Sequence, residues 1–261
     1  MTLTIDIGNT RVKWVLFQDE AVIDNGVFGY TLDTFKDCFI RAAISLEGAE
    51  LVISNVAGNK IEESLTGILE TSGCKNYMYV QTQIEQCGVT NAYSDFSRLG
   101  VDRWLAMIAG FNHEKRAEGE SVCIIDCGTA MTLDIVDGGG HHLGGLITPG
   151  YRLMRSVLIQ KTNNIKGIDT NPDVASMGLA KTTDDAVRQG CVQLLVGGLS
   201  DMLSRYSENK KNEMCCIVTG GDADWVTNLL RVEAMHEPML VNLGLCHVFR
   251  ASLKAETKGC T

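Results

Sequence analysis

The sequence predicts an α/β protein built as two similar halves, each a mixed sheet flanked by helices, and two observations carry that expectation. The first is a repeat. Thr4-Ile5-Asp6-Ile7-Gly8-Asn9-Thr10 and Ile124-Ile125-Asp126-Cys127-Gly128-Thr129-Ala130 are each an apolar strand that ends in an aspartate, turns through a glycine and offers a small hydroxyl residue. An apolar run then resumes in each copy, over 12–17 and over 131–136, so both read as hairpins with an acid at the bend. The second observation is the alternation of strand-like and helix-like segments after each hairpin, the pattern of a partly parallel sheet covered by helices. At 261 residues the chain is long enough for two domains of ordinary size, each with its own core.

Taken in order, residues 2–6 and 11–17 read as paired strands, with 26–30 as a third at an antiparallel edge. Leu32, Phe35, Cys38, Phe39 and Ala42 recur at helical spacing over 31–46, and the run Leu51-Val52-Ile53-Ser54-Asn55-Val56 reads as a buried strand. Residues 61–72 form a further helix closed by Gly73, 77–80 a short strand, and 88–98 a polar loop. A helix starts at Asp102 or Arg103 and runs through Trp104, Leu105, Met107 and Ile108 to about Arg116. The charged run over 115–120 marks the boundary between halves, giving domains of 1–118 and 119–254. In the second half, strands over 121–126 and 131–136 precede a glycine-dense stretch over 138–150. Helices over 151–160 and 184–206, a strand over 215–219 and a helix over 224–233 follow, and 255–261 reads as a frayed tail. Between the two helices, 161–183 is polar with little periodicity, a mobile segment or a subunit contact.

Composition narrows the function. With 45% apolar and 21% charged residues and no apolar run near the roughly 18 residues of a membrane span, no membrane association is expected. The first residues form a strand rather than an export signal, so the expected location is cytoplasmic. A net charge of −9 argues against a nucleic-acid partner, because phosphate backbones are bound by concentrated Lys and Arg. Lys210-Lys211 with Arg205 is short and diluted by Glu208 and Glu213, a solvated loop. The ten cysteines contain no C-x-x-C pair and no matching His spacing, which makes them small buried hydrophobes kept reduced.

The duplicated bend has the chemistry that a polyphosphate and its metal require. Glycine lets backbone N–H groups approach phosphate oxygens, the neighbouring Asn or Thr donates further hydrogen bonds, and the aspartate holds a hard cation through oxygen. Asp6 and Asp126 are therefore candidates to hold Mg²⁺, a monovalent cation or a bridging water. Gly8, Asn9, Thr10, Arg11 and Lys13 would line one side of the phosphates, with Gly128 and Thr129 opposite. No G-x-x-x-x-G-K-[ST] occurs, which excludes a P-loop. Paired hairpins of this kind are the sign of the actin-like ATPase and sugar kinase superfamily, whose two ribonuclease-H-like domains hold ATP between them. Another cluster, Gly100-Val101-Asp102-Arg103, reads on spacing alone either as an N-capping aspartate with a surface arginine or as a functional pair.

These segments, with Tyr93, Gly144-Gly145-Leu146-Ile147-Thr148-Pro149-Gly150, Thr183 before Ala186 and Gly190, and Thr219-Gly220-Gly221-Asp222-Ala223, resemble the type III pantothenate kinases in order and interval over roughly residues 1–250. The resemblance implies ATP-dependent phosphorylation of pantothenate to 4'-phosphopantothenate, the first step toward coenzyme A, with Mg²⁺ and a monovalent cation, K⁺ or NH₄⁺. It makes Asp102 the proton acceptor and places Gly100, Val101 and Arg103 in the pantothenate-binding motif with Tyr93 and Thr183. It assigns ATP to Asp6, Ile7, Gly8, Asn9, Thr10, Arg11, Val12, Lys13 and Thr129, and the monovalent cation to Asp126. It also implies a homodimer formed through the second halves. There the stripe Val187, Cys191, Leu194, Leu195 and Gly198 is either a subunit contact or a core-facing face.

The chemistry agrees, since a carboxylate within about 3 Å of an alcohol accepts its proton as the bond to phosphorus forms. A guanidinium such as that of Arg103 can grip a carboxylate by two parallel hydrogen bonds, or hold a structural acid. The chain departs from the family at Asn163-Asn164-Ile165-Lys166-Gly167-Ile168, where a Leu-Pro pair is usual, and at Val241-Asn242-Leu243-Gly244-Leu245. Two other readings stay open: a kinase of the same fold for another small alcohol or sugar, and a non-enzymatic transcription accessory factor, a description some members of the family carry.

Overall fold

A computed structural model of the chain describes residues 1–46, 48–162, 165, 178–209 and 214–259. Most of the polar segment 161–183, the departure at Asn163-Asn164, and Lys210-Lys211 lie outside the described residues. Two compact units form, Met1–His113 together with the segment from Met239, and Glu114–Pro238.

In the first unit β1 (Thr2–Ile7), β2 (Arg11–Gln18) and β3 (Ala21–Gly29) form an antiparallel meander, followed by α1 (Phe35–Arg41), β4 (Glu50–Asn55), α2 (Asn59–Thr71) and β5 (Tyr77–Tyr79). The sheet order is β3-β2-β1-β4-β5, with β4 parallel to β1 and β5 parallel to β4. Alternation of side chains sends Leu3, Ile5, Ile7, Leu51 and Ile53 to one core with Phe35, Phe39, Leu65 and Leu69 from the two helices. After the two-residue strands β6 (Glu85–Gln86) and β7 (Val89–Thr90) and a 3-10 turn at Phe96–Arg98 comes α3 (Val101–Phe111), buried over most of its length.

The second unit repeats the plan. Its strands β8 (Ser121–Cys127), β9 (Ala130–Val136) and β10 (His142–Pro149) lead to α4 (Tyr151–Lys161), α5 (Thr183–Asn209), β11 (Met214–Thr219), α6 (Ala223–Leu229) and β12 (Met235–His236). The order β10-β9-β8-β11-β12, antiparallel on one side of β8 and parallel on the other, matches the first sheet strand for strand. Thr182 caps the start of α5: its Oγ1 accepts from the Asp185 N–H and donates to Asp185 Oδ2.

The final helix, α7 (Leu240–Gly259), corrects two expectations. Residues 255–259 continue a helix instead of fraying, and the segment placed with the second half packs on the first unit, against α3, β1, β2 and β4. Gly244 makes this possible, because a Cβ there would lie 2.2 Å from the Leu105 carbonyl oxygen and hold the two helices apart. Asn242, fully buried, then donates from Nδ2 to Thr4 Oγ1 at 3.0 Å while Thr4 Oγ1 donates to the Val15 carbonyl.

Smaller differences have local causes. Thr34 Oγ1 accepts from the Thr31 N–H and shapes a turn, so α1 starts at Phe35 and not at 31. The unit boundary falls after His113 instead of 118, because Arg116 donates to the Glu120 carbonyl and folds 116–120 into the second unit. The glycine-dense stretch carries strand β10, whose Leu146 faces Leu133 in register. Helix α6 stops at Leu229, short of 233, with Leu230 already extended.

Six of the nine described cysteines are buried, and all nine are free thiols. Burial pushes Cys127 far up, with Asp126 and Asp222 adding to it, and pushes Cys215 up to about 11, so both remain protonated and unreactive. No helix among the described residues is long and apolar enough to cross a membrane.

Asn242→Ala removes the donor that reaches the buried Thr4 hydroxyl and carbonyl. Denaturant unfolding is expected to show a loss of about 1–3 kcal/mol with an unchanged m-value.

Candidate active site

The first bend is closed at its base by strand pairing. Ile7 faces Val12 and Asp6 faces Lys13 across β1 and β2, and the Gly8 N–H donates to the Arg11 carbonyl at 3.0 Å. Asn9, Thr10 and Arg11 are exposed at the tip. Asp6 is only 9% exposed, and Ser54 Oγ, in register on the parallel neighbour β4, donates to its Oδ1 at 3.2 Å. A buried carboxylate needs such donors, because unpaired it would cost several kcal/mol. Tyr30, just after β3, donates its phenol to the Gly8 carbonyl at 2.5 Å and its N–H to the Thr10 carbonyl at 3.2 Å. Burial raises the Tyr30 phenol above its ordinary value and the Asp6 charge adds to this, which keeps the group a donor.

The second bend is built by close glycine contacts. Asp126 faces Thr132 on β9 and Thr219 on β11, the position that Ser54 holds beside Asp6. Gly220 sits at φ +98°, where a Cβ would lie 2.5 Å from Asp126 Oδ1 and 2.6 Å from the Cys127 nitrogen. Gly150 presses equally on the turn, since its Cβ would lie 2.4 Å from the Gly128 carbonyl oxygen, and its N–H donates to the Thr129 carbonyl at 3.0 Å. The Asp222 N–H ties the loop after β11 to the Cys127 carbonyl.

The third group lies at the start of α3. The helix cap is Gly100, not the aspartate, and Asp102 in the first turn accepts from the Arg103 N–H at 2.8 Å. A Cβ on Gly100 would meet Asp102 Oδ1 at 2.6 Å, so glycine leaves the space this carboxylate occupies. Arg103 is 7% exposed rather than a surface residue. Its Nη1 donates to Tyr93 Oη at 3.0 Å and its guanidinium lies 5.8 Å from the centre of the Tyr93 ring, a charge held against an aromatic face.

Thus Gly100, Asp102, Arg103 and Tyr93 form one cluster, and residues 6–13 form another with Tyr30 and Ser54. Asp126, Gly128 and Thr129 form a third with Gly150, Thr219 and Gly220. Thr183, the first residue of α5, is exposed. Of the stripe on α5, Cys191 and Leu195 are buried in the core of their own unit, whereas Leu194 is 71% exposed. Ser54 and Tyr30 carry no motif in sequence as binding residues. The available signal was the extent of the repeat, since the parallel strand after each hairpin carries a hydroxyl residue at or next to its end, Ser54 in one half and Thr219 in the other.

The donor set at Asp126 suits a hard cation. Thr219 Oγ1 is fully buried with no hydrogen-bond partner among the described residues, and it sits on the strand position paired with that carboxylate. No group of three or more His, Cys, Asp or Glu side chains among the described residues could hold a metal ion by itself. Ions here would share their coordination with backbone, hydroxyl and substrate oxygens.

Two copies of a 3-2-1-4-5 sheet, each with an aspartate and a glycine bend on its central strand, define the actin-like ATPase and sugar kinase fold. Among solved structures, MreB5 of Spiroplasma citri bound to AMPPNP aligns with a TM-score of 0.52 at 11% identity, over 100% of this chain and 98% of that one. A Campylobacter jejuni protein assigned to the Baf family of transcriptional activators aligns with a TM-score of 0.58 at 20% identity, over 97% and 99%. The sequence model of the type III pantothenate kinases matches residues 2–205. A type III pantothenate kinase of Nitrosococcus oceani is 33% identical over 256 residues, covering 97% of this chain and 96% of that protein. The chain belongs to the type III pantothenate kinase family.

Gly220→Ala forces a Cβ into backbone and carboxylate atoms at a positive φ, and thermal and denaturant unfolding are expected to show a loss of about 1–3 kcal/mol or more.

Proposed function

We propose that this protein transfers the γ-phosphoryl group of ATP to the primary hydroxyl of pantothenate, giving 4'-phosphopantothenate in the first step of coenzyme A synthesis, and that it works in the cytoplasm. The observation that carries this reading is the start of α3. There a carboxylate, a buried guanidinium and a tyrosine are assembled on a glycine cap that leaves Asp102 its space.

Asp102 accepts the hydroxyl proton as the bond to phosphorus forms, late in a loose transition state that leaves little covalent work to the protein. Arg103 holds the pantothenate carboxylate, with Tyr93 fixing the plane of the guanidinium, and Gly100, Val101 and Thr183 complete the acceptor site. Residues 6–13 and Thr129 hold the ATP phosphates through backbone N–H groups and hydroxyls. Asp6 would hold Mg²⁺ with the phosphates, and Asp126 with the Thr219 hydroxyl would hold a monovalent cation. When bound, these ions neutralise phosphate charge.

The protein acts as a homodimer in this reading. Leu194, Leu146 and Ile147 are exposed large apolar residues of the second unit, and a groove of about 120 Å³ between β9, β10 and α5 is lined by Met131, Leu133, Leu146, Leu194 and Leu199. An exposed leucine beside an apolar groove is the kind of surface that a second copy could cover.

ATP consumption with pantothenate, measured with and without K⁺, tests the reaction. Asp102→Asn is expected to lower kcat about 10²- to 10⁴-fold with unchanged circular dichroism and melting. Phosphorylation of a sugar but not of pantothenate would refute the acceptor, and no pantothenate-dependent turnover by the wild type would favour a non-enzymatic role. Leu194→Arg places a charge on the apolar face, and sedimentation is expected to show a shift from dimer to monomer; an unchanged dimer would move the interface elsewhere.

A further inference from the structure

Tyr30 belongs to no motif, yet it makes two separate contacts with the first bend. Its phenol donates to the Gly8 carbonyl and its backbone N–H to the Thr10 carbonyl, one on each side of Asn9. Every described peptide bond is trans, so each C=O points opposite the N–H of the next residue. A Gly8 carbonyl turned toward Tyr30 therefore sends the Asn9 N–H the other way, and a Thr10 carbonyl held by Tyr30 does the same for the Arg11 N–H. We infer that Tyr30 is a positioning residue for the phosphate-binding turn, setting the two peptide planes so that the Asn9 and Arg11 amides face the nucleotide's anionic oxygens.

The mount for this role is rigid. Tyr30 follows β3, where Gly29 stands in register opposite Arg11. Its ring packs edge-on against Phe35 at 5.0 Å between centres, and Phe35 is itself fully buried against Phe39. The phenol is thus held by the core of the first unit and not by the turn it restrains. Glycine at position 8 lacks the side chain that would otherwise limit its peptide, so without the phenol the Gly8–Asn9 plane is free to rotate and carry the Asn9 N–H away. Preorganised backbone donors bind anions better than donors that must first be ordered.

The inference rests on residues 6–13 being the phosphate-binding segment, and the test separates the two. Tyr30→Phe keeps the ring and its contact with Phe35 and deletes only the hydroxyl. Titration calorimetry with AMPPNP is expected to show binding about 5- to 15-fold weaker than wild type, the worth of one hydrogen bond. The KM for ATP is expected to rise by a similar factor while the KM for pantothenate stays within about twofold, a split that general loosening would not produce. An AMPPNP affinity within about twofold of wild type, or equal rises in both KM values, overturns the inference. In ¹⁵N-labelled wild type, AMPPNP is expected to shift the Asn9 and Arg11 amide resonances, and an unshifted pair overturns it even if the variant does not fold. A wild type that binds AMPPNP but transfers nothing to pantothenate defeats the proposed reaction and leaves the Tyr30 comparison decisive. A wild type that does not bind AMPPNP sinks both.

Discussion

Each bend rests on a central strand that is hydrogen-bonded along both edges and carries an aspartate one residue before its end. A carboxylate at the end of such a strand is half out of water, and what stands beside it on the neighbouring strands decides whether it can stay charged. Parallel pairing brings Ser54 next to Asp6 and Thr219 next to Asp126, while antiparallel pairing brings Lys13 opposite Asp6. Register thus does the electrostatic work, since a slip of one residue would turn the acid and its hydroxyl to opposite faces.

The glycines around these acids serve close approach more than flexibility. Gly100 yields its Cβ volume to the Asp102 carboxylate, Gly150 to the Gly128–Thr129 backbone, and Gly220 to Asp126 and Cys127. Each replaces a side chain with a neighbour's backbone or carboxylate, which fixes the functional groups by packing. That rigidity suits phosphoryl transfer, where alignment and fixed dipoles supply most of the acceleration and covalent chemistry supplies little.

Much of this was legible in advance. The acid–glycine bends stood out because strand alternation and turn chemistry are both local signals, and α3 was visible through its apolar spacing behind Asp102-Arg103. The strand β10 was harder to read, since glycine masks a strand's preference, and α7 was not recognised because a fully buried asparagine and Gly244 interrupt its apolar pattern. Both residues make sense only against α3 and β1. Ser54 gains its role only from parallel register, which sets it beside Asp6.

By itself, then, the sequence determined the two bends, most of the strands and helices of each half, the membership of Gly100, Asp102 and Arg103 in one helix start, and the family. Only the tertiary structure decided that Asn242 reaches back 238 positions to Thr4, that Arg103 lies under Tyr93, and that Tyr30 bonds to the turn at Gly8. The physical reason is one of range. Periodicity and turn propensity act within a few residues, whereas the partner of a buried polar group is chosen by register and close packing between segments far apart in the chain.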